Sequence, residues 1–259
     1  NPIGQVETIL PQTICEAQAS TAIVFSTTAT TGTTTYTWTN DNIAIGLAAS
    51  SNGPATGIPS FTATNTTSAP IVATVEVTPI YSEGGADCVG TPITFTITVN
   101  PTPQITDKTA SICSEGTFTV TPVDGAAGDI VPAGTTYSWT VSANANVLGA
   151  SAQNNQAAIS QQLENTSTTV QTVTYTITPV GGNTCEGTPF ELVVSVEPQP
   201  VVVATPDISF ICSNSSTNIV LSSTTVGSSA ISYTWTASVL TTPTGGTITG
   251  LSNDATGTA

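Results

Sequence analysis

The sequence predicts an all-β protein built from tandem sandwich domains of about one hundred residues each. Three observations lead to this fold class. The chain repeats itself at a fixed spacing, its apolar residues alternate with polar ones at a period of two, and clusters of glycine, asparagine and proline separate the alternating runs. No stretch has the 3.6-residue period of an amphipathic helix, so we expect about seven strands per domain in two antiparallel sheets.

Three Ile-Cys pairs mark the start of the repeat. They end at Cys15, Cys113 and Cys212, which gives spacings of 113 − 15 = 98 and 212 − 113 = 99 residues. Two repeats also contain a Cys-x-Gly-Thr-Pro motif, which begins at Cys88 in the first and at Cys185 in the second. A period of this length matches the size of an immunoglobulin-like sandwich domain.

Proline-flanked segments separate the repeats, namely Pro101-Thr102-Pro103 and Pro198-Gln199-Pro200. We therefore predict one domain over residues 1–101, a second over 102–199, and a third over 200–259 that is truncated at its C-terminal side. Because proline restricts the backbone at each joint, short linkers of this kind predict a semi-rigid row of domains.

Each repeat carries one tryptophan in a Tyr-x-Trp-Thr motif, and these residues are Trp38, Trp139 and Trp235. In every copy the tyrosine and the tryptophan are two residues apart, so a strand places both on one face. The chain has few other aromatic residues, and we therefore expect the three tryptophans at the centres of the domain cores.

The five cysteines predict disulfides and an extracellular setting. Zinc is an unsuitable use for them, since structural zinc sites need closely spaced ligands, often with histidine, and the chain has no histidine. From the repeat alignment we expect the pairs Cys15–Cys88 and Cys113–Cys185, each near one end of its sandwich. The partner of Cys212 is expected outside these 259 residues, and a free or intermolecular thiol is the alternative.

The charge of the chain excludes several partners. It has 16 acidic residues, one basic residue and a formal net charge of −15. Nucleic acids and anionic membrane surfaces both require a cationic protein surface, so neither is an expected partner. No apolar run approaches the roughly 20 residues that span a bilayer, and we expect no membrane insertion.

The residue types also argue against catalysis. With no histidine and a single lysine, Lys108, the chain cannot form the usual nucleophile–base arrangements. Two carboxylates suffice for glycoside hydrolysis, but the acidic residues form no recognisable motif. We therefore predict no enzyme activity and no cofactor. Calcium is the one ion considered, at Asp124 and Asp129 in a glycine-rich loop, with a solvated turn as the alternative.

Three Asn-x-Ser/Thr triplets match the glycosylation acceptor pattern and begin at Asn65, Asn165 and Asn214. In a chain so rich in threonine and serine, such matches also arise by chance.

Several segments resemble the PKD-like repeats of Bacteroidota surface proteins. They are residues 103–116, 131–139 and 40–47, together with the Cys-x-Gly-Thr-Pro motifs. The resemblance implies an exported protein in which long arrays of such domains form gliding-motility adhesins and other type IX secretion cargo. It implies no catalytic residues.

These observations lead to the hypothesis of a non-catalytic repeat segment of a giant secreted adhesin or filament at the outer cell surface. It would act as a semi-rigid stalk in surface attachment or gliding. Neighbouring repeats of the same chain are the expected partners, and surface glycans, other cell-surface proteins and further copies of the chain are also considered. Two alternatives remain open, which are spacer modules of a large secreted hydrolase and a carbohydrate-binding module.

Overall fold

A computed structural model of the chain describes residues 4–51, 53–212, 214–239 and 254–258. Its regular structure consists of β-strands and two three-residue 3₁₀ turns, Ile43–Ile45 and Ala126–Gly128. Both turns are far too short to cross a membrane, and the described residues contain no other helix. The predicted all-β class is confirmed, and the prediction of no helical period agrees with it.

The described residues of the first domain form seven strands, as the sequence predicts for one sandwich. They are β1 (Gln12–Cys15), β2 (Ile23–Val24), β3 (Thr33–Asn40), β4 (Gly57–Ile58), β5 (Ile71–Glu83), β6 (Ala86–Val89) and β7 (Ile93–Asn100). The larger sheet has the order β1-β7-β5-β3, and β6 extends the β7 edge of the long strand β5. β2 and β4 form a small sheet that faces it across the core.

The second domain repeats this plan with more and shorter strands. They are β8 (Lys108–Cys113), β9 (Thr117–Val120), β10 (Thr136–Val141), β11 (Val147–Leu148), β12 (Gln153–Gln156), β13 (Ile159–Gln162), β14 (Glu164–Asn165), β15 (Gln171–Val180) and β16 (Phe190–Glu197). The larger sheet has the order β12-β10-β15-β16-β8, and the pairs β9–β13 and β11–β14 form the facing layer.

The two cores lie between these layers and follow from the alternation in the sequence. Along β16, residues Phe190, Leu192, Val194 and Val196 are all buried, and the residues between them are more exposed. Threonine occupies many of the outward positions, where its β-branched side chain favours the extended backbone. The facing layer contributes Phe118, whose ring lies 5.4 Å from that of Tyr175 in β15.

One feature of the sheets differs from the antiparallel arrangement that we predict. The first strand of each domain pairs in parallel with its last strand, with Cys15 opposite Asn100 and Cys113 opposite Glu197. Parallel pairing is possible here because the whole domain lies between the two strands and serves as the crossover. It places the first cysteine of each domain at the end where the chain leaves that domain.

The described part of the third repeat contains β17 (Val202–Pro206), β18 (Ile219–Ser223), β19 (Ser232–Trp235) and β20 (Asp254–Thr258). They form two separate two-stranded sheets, β17–β18 and β19–β20. Trp38 and Trp139 are buried in the first two cores, but Trp235 is 39% exposed, so its predicted core position is wrong for this structure. The described residues of the third repeat do not form the facing layer that covers the other two tryptophans.

Candidate functional site at the joint between the two domains

A disulfide joins the two complete domains. Cys15, the last residue of β1, is bonded to Cys185, which lies in the loop before β16, and their Cα atoms are 5.7 Å apart. The two cysteines are 170 residues apart in sequence. The bond lies beside the linker at residues 101–103, since Cys15 pairs with Asn100 and Asn183 donates to the Pro101 carbonyl. Cys185 is almost completely buried in this joint.

This bond corrects the predicted pairing Cys15–Cys88. Cys15 lies beside Asn100, whose neighbour Val99 pairs with Ile71 at the start of β5, whereas Cys88 pairs with Tyr81 ten residues further along β5. Ten strand residues span about 33 Å. Disulfide-bonded Cα atoms are at most about 7 Å apart, so Cys15 and Cys88 lie at opposite ends of the domain.

The predicted pairing Cys113–Cys185 is wrong for the same reason. Cys113 lies opposite Glu197 at the exit end of the second domain, and Cys185 lies close to the other end of β15, where Val180 bridges to Glu186. Among the described residues, Cys88, Cys113 and Cys212 form no disulfide. The expected partner of Cys212 outside these 259 residues stays a prediction.

The linker itself is packed rather than free. Pro101 and Pro103 are both buried, and the Pro101 carbonyl accepts a hydrogen bond from Asn183 Nδ2 at 3.3 Å. On the first-domain side, Thr102 Oγ1 donates to the carbonyl of Glu16 at 3.4 Å. The linker therefore contacts the turn after the first strand of one domain and the loop before the last strand of the next.

Gly187 allows the linker to approach the second domain closely. Its N–H donates to the carbonyl of Pro179 at 2.8 Å, and a Cβ at this position would lie 2.2 Å from the carbonyl oxygen of Pro103. Only a residue without a side chain fits this contact. The glycine of the Cys-x-Gly-Thr-Pro motif thus has a packing role at the joint.

A second contact across the joint involves the loop that contains the calcium candidates. The Ser68 hydroxyl of the first domain, together with the backbone N–H of Val131, lowers the pKa of Asp124. Asp124 Oδ1 accepts the Val131 N–H at 2.9 Å. The exposed loop of the second domain therefore contacts the turn after Asn65 in the first domain.

Asp129, the other calcium candidate, is bonded within its own domain. Its Oδ2 lies 2.7 Å from Lys108 Nζ, and its Oδ1 accepts from both the N–H and the hydroxyl of Thr106 at 2.9 Å. Burial raises the pKa of Asp129, but the Lys108 ammonium and the Thr106 hydrogen bonds outweigh burial and lower it. In the part of the chain that the structure describes, no three acidic or cysteine side chains are grouped as metal ligands would be.

A groove of about 660 Å³ runs along the joint. It is lined by Glu16, Ala17 and Gln18 of the first domain, by the linker, and by Glu186, Gly187, Thr188 and Pro189 of the second. The lining offers two carboxylates and no tryptophan or other aromatic ring on which a sugar could stack.

The joint between the second and third repeats makes related contacts. Thr169 bridges to Val226, whose N–H donates to the Thr168 carbonyl at 2.7 Å. Thr168 lies 100 residues after Ser68 in the equivalent turn, so both joints use the same turn of the preceding domain. Glu197 accepts the Ser228 N–H at 2.9 Å, and contacts with the hydroxyl and N–H of Ser228 lower the pKa of Glu197.

Two asparagines of the glycosylation triplets have structural roles. Asn65 is 2% exposed, and its Nδ2 donates to the carbonyls of Ala69 and Val99 at 2.9 and 2.8 Å. Its Oδ1 accepts from the N–H and hydroxyl of Thr67. Asn165 repeats each of these bonds with Thr169, Val196 and Ser167. Both amide nitrogens are therefore inaccessible to a glycan, and the hydroxyl of each triplet completes an internal hydrogen-bond network.

Sequence reasoning missed the joint as a site, although two signals for it were present. The glycine two residues after Cys88 and Cys185 indicates a close backbone contact, and the recurrent proline linkers indicate where that contact lies. The pairing of the cysteines between domains had no signal, because a repeat alignment shows equivalence and not which end of the domain each residue occupies.

The chain belongs to the PKD-like domain family, whose model matches it twice, at residues 12–103 and 110–200. Together the two matches cover well over half of the 259 residues. They follow each other directly along the chain, so the tandem PKD-like domains of about one hundred residues are confirmed. Domains of this type are typically non-catalytic.

The solved structures to which the chain is similar share little sequence with it. Mouse cadherin-23 EC22-24 is 13% identical with a TM-score of 0.36, and the alignment covers 77% of this chain and 65% of that one. SGBP-B of the Bacteroides ovatus mixed-linkage glucan utilization locus, in complex with a mixed-linkage heptasaccharide, is also 13% identical, with a TM-score of 0.27 and coverages of 90% and 64%. Chicken CNTN1 FN1-FN3 is 12% identical, with a TM-score of 0.31 and coverages of 90% and 79%. The chain thus spans less than two thirds of the first and second of these proteins. No curated sequence matches it.

Proposed function

We propose that this chain is a non-catalytic stalk segment of a giant secreted adhesin, exposed on a bacterial cell surface and serving attachment or gliding. The tandem PKD-like domains support a structural or adhesive module. The disulfide supports an extracellular or other oxidising location. The Bacteroidota origin and export by type IX secretion are parts of this proposal that rest on the resemblance of the repeats.

The observation that carries the proposal is the Cys15–Cys185 bond across the joint. A stalk has to hold its tip at a defined position, and a flexible linker between domains does not fix that position. Here the linker prolines are buried, Gly187 packs against Pro103, and a covalent bond lies beside the peptide connection. The peptide linker and the disulfide together restrict rotation at the joint far more than the linker alone would.

A scattering experiment tests the stalk role. We expect small-angle X-ray scattering of the oxidised chain to fit one narrow distribution of interdomain arrangements. The double variant Cys15→Ser with Cys185→Ser should give a broader distribution, and the single variant Cys113→Ser is the matched control that leaves the joint intact. Identical distributions of interdomain arrangements for the double variant and the unchanged chain would contradict a stalk made rigid by this disulfide.

A cell experiment tests the adhesive role. Antibodies against this segment should label intact cells of the source organism, and deletion of the segment from the parent gene should reduce attachment to a surface. Secreted hydrolase activity should stay unchanged in the deletion strain. Loss of a hydrolase activity with normal attachment would favour the spacer alternative, and binding of the chain on a glycan array would favour the carbohydrate-binding alternative.

A further inference from the structure

The first cysteine of each of the three repeats begins a turn, and the three turns share two features. Two residues after it, Ala17, Glu115 and Asn214 have left-handed φ values of 65°, 67° and 64°, although none of them is glycine. In each turn, the N–H three residues after the cysteine donates to the cysteine carbonyl, at 3.2, 2.9 and 3.0 Å. All three cysteines are thus followed by the same left-handed residue and the same hydrogen bond, and Cys15 is the oxidised example.

The turns in the first two repeats also lie at the same end of their domains. The N–H of Glu16 donates to the carbonyl of Asn100 at 2.9 Å, and the N–H of Ser114 donates to the carbonyl of Glu197 at 2.8 Å. Both acceptors end the last strand of their domain. Cys113 is therefore placed at the exit of the second domain as Cys15 is at the exit of the first, and its side chain is exposed.

The second cysteine of each domain lies at the opposite, entry end. Gly90 and Gly187 each follow it by two residues, and they donate their N–H groups to the carbonyls of Pro79 in β5 and Pro179 in β15, both at 2.8 Å. A Cβ on Gly187 would meet Pro103 of the linker, and a Cβ on Gly90 would meet the carbonyl oxygen of Gly4. Since Gly4 precedes Pro103 by 99 residues, the segment that enters the first domain occupies the place of the linker.

We propose that disulfides link consecutive repeats along the whole array, each from the first cysteine of one repeat to the second cysteine of the next. Cys113 is then bonded to the second cysteine of the third repeat, whose expected position lies beyond residue 259. Cys88 is bonded to the first cysteine of a repeat that precedes the first domain, and Cys212 to the second cysteine of a fourth. This inference does not depend on the adhesive role.

The second joint supports this register. Thr168 and Thr169 contact Val226 of the third repeat, as Ser68 contacts Asp124 at the first joint, so the third repeat lies against the same end of the preceding domain. Cys88 and Cys113 cannot form a disulfide with each other within one chain. Cys88 lies at the entry end of the first domain, and Cys113 lies at the exit end of the second. Each faces the place where a neighbouring repeat is attached.

The chemistry of each bond is an ordinary two-electron oxidation. Two thiols lose two protons and two electrons as their sulfur atoms join, and a disulfide-bearing oxidoreductase of the export compartment accepts both electrons and becomes a dithiol. Folding of two adjacent repeats brings the two thiols together. Cys113 is exposed before the bond forms, which gives the oxidoreductase access to it.

Peptide mapping of the parent protein, isolated from its native source, tests the proposal. The protein is denatured in the presence of iodoacetamide without reductant. It is then digested with a protease that cleaves after aspartate and glutamate, and the peptides are analysed by mass spectrometry. The expected result is that the Cys113 peptide is joined to a Cys-x-Gly-Thr-Pro peptide of the following repeat, and the Cys88 peptide to an Ile-Cys peptide of the preceding one. Alkylated Cys113, or a link between Cys113 and a second copy of the chain, would overturn the proposal.

The 259-residue chain provides a matched measurement. Under denaturing, non-reducing conditions it should take up three alkyl groups, at Cys88, Cys113 and Cys212, while Cys15 and Cys185 stay protected. In the parent protein, Cys113→Ser should leave the Cys15–Cys185 bond intact and free one thiol in the following repeat. If no new thiol appears in that variant, Cys113 has no partner there and the proposal is wrong. Normal attachment by cells that carry this variant would count against the stalk role and would not affect the disulfide proposal.

Discussion

At Asn65 and Asn165, a single buried side chain connects a turn of the domain to its last strand. Each amide donates to the carbonyl four residues later and to a carbonyl of the last strand, and all four hydrogen bonds recur in both domains. A buried amide is stable only when its donors and acceptors are satisfied. The glycosylation-like triplet therefore recurs because asparagine and the hydroxyl two residues later form one network.

This network gives a prediction for stability. Replacement of Asn165 by alanine removes four hydrogen bonds and leaves the Val196 carbonyl without its buried partner, so we expect a loss of about 2–4 kcal/mol. Urea unfolding followed by tryptophan fluorescence measures it. Asn154→Ala, at an exposed position of the same domain, is the control and should stay within about 0.5 kcal/mol. Equal effects of the two substitutions would show that the network contributes nothing.

Lys108 and Asp129 give a prediction with a pH dependence. The folded-state pKa of Asp129 is lowered, so the pair stabilises the fold above the ordinary pKa of 3.8, and this contribution is lost as pH falls through the folded value. The Asp129 side chain is 1% exposed and that of Lys108 is 20% exposed. Lys108→Met should therefore cost about 1–3 kcal/mol at pH 7, and the difference from the unchanged protein should narrow below about pH 4.

Unfolding curves at several pH values measure this difference, with Lys108→Arg as the control that keeps the cation. A loss that is constant from pH 7 to pH 3 would mean that packing of the lysine stem, and not its charge, is responsible.

The parallel pairing of β1 with β7, and of β8 with β16, determines what each element contributes to the joint. It places the end of the first strand next to the end of the last strand, so the first cysteine lies beside the linker. The loop before the last strand of the following domain contacts the same linker through Asn183 and Gly187. Two elements that are distant in sequence therefore meet because both lie next to the same proline segment.

The close contact at Gly187 gives a prediction at this scale. Gly187→Ala places a methyl group against the Pro103 carbonyl, and overpacking of this kind costs about 1–3 kcal/mol. We expect the second domain to unfold at lower urea and the Cys15–Cys185 bond to form less completely on refolding. Gly227→Ala is the control, because its Cβ would meet the movable Glu197 carboxylate at 3.1 Å. Complete bond formation and unchanged unfolding in Gly187→Ala would show that the linker can shift at no cost.

For the whole molecule, the single lysine provides a sharp test of the disulfide pattern. Trypsin can cut only after Lys108, between Cys15 and Cys185, because the chain has no arginine. After denaturation without reductant and digestion, the bond Cys15–Cys185 should hold residues 1–108 and 109–259 together. Added reductant should separate them.

The alternative pairs Cys15–Cys88 and Cys113–Cys185 each lie within one of these fragments, so they would release two species without reductant. Cys113→Ser should behave as the unchanged protein does, and Cys15→Ser should release both fragments at once. Intact linkage in Cys15→Ser would contradict the structure.

The sequence by itself determined the repeats and the pattern of strands within each domain. The spacing of the Ile-Cys pairs indicates the tandem repeats, and the alternation along segments such as Phe190–Glu197 indicates strands with one buried face. The buried positions of Trp38 and Trp139 also follow from their motif. These features are local, because a period of two and a turn residue depend only on neighbouring positions.

Only the tertiary structure decided how the domains are connected. The sequence identifies Cys15, Cys88, Cys113 and Cys185 as equivalent pairs, but bonding depends on which end of the sheet each one occupies. That placement follows from the parallel pairing of the first and last strands, which depends on residues more than 80 positions apart. The same long-range pairing converts a disulfide that the repeat alignment places inside a domain into one that holds two domains together.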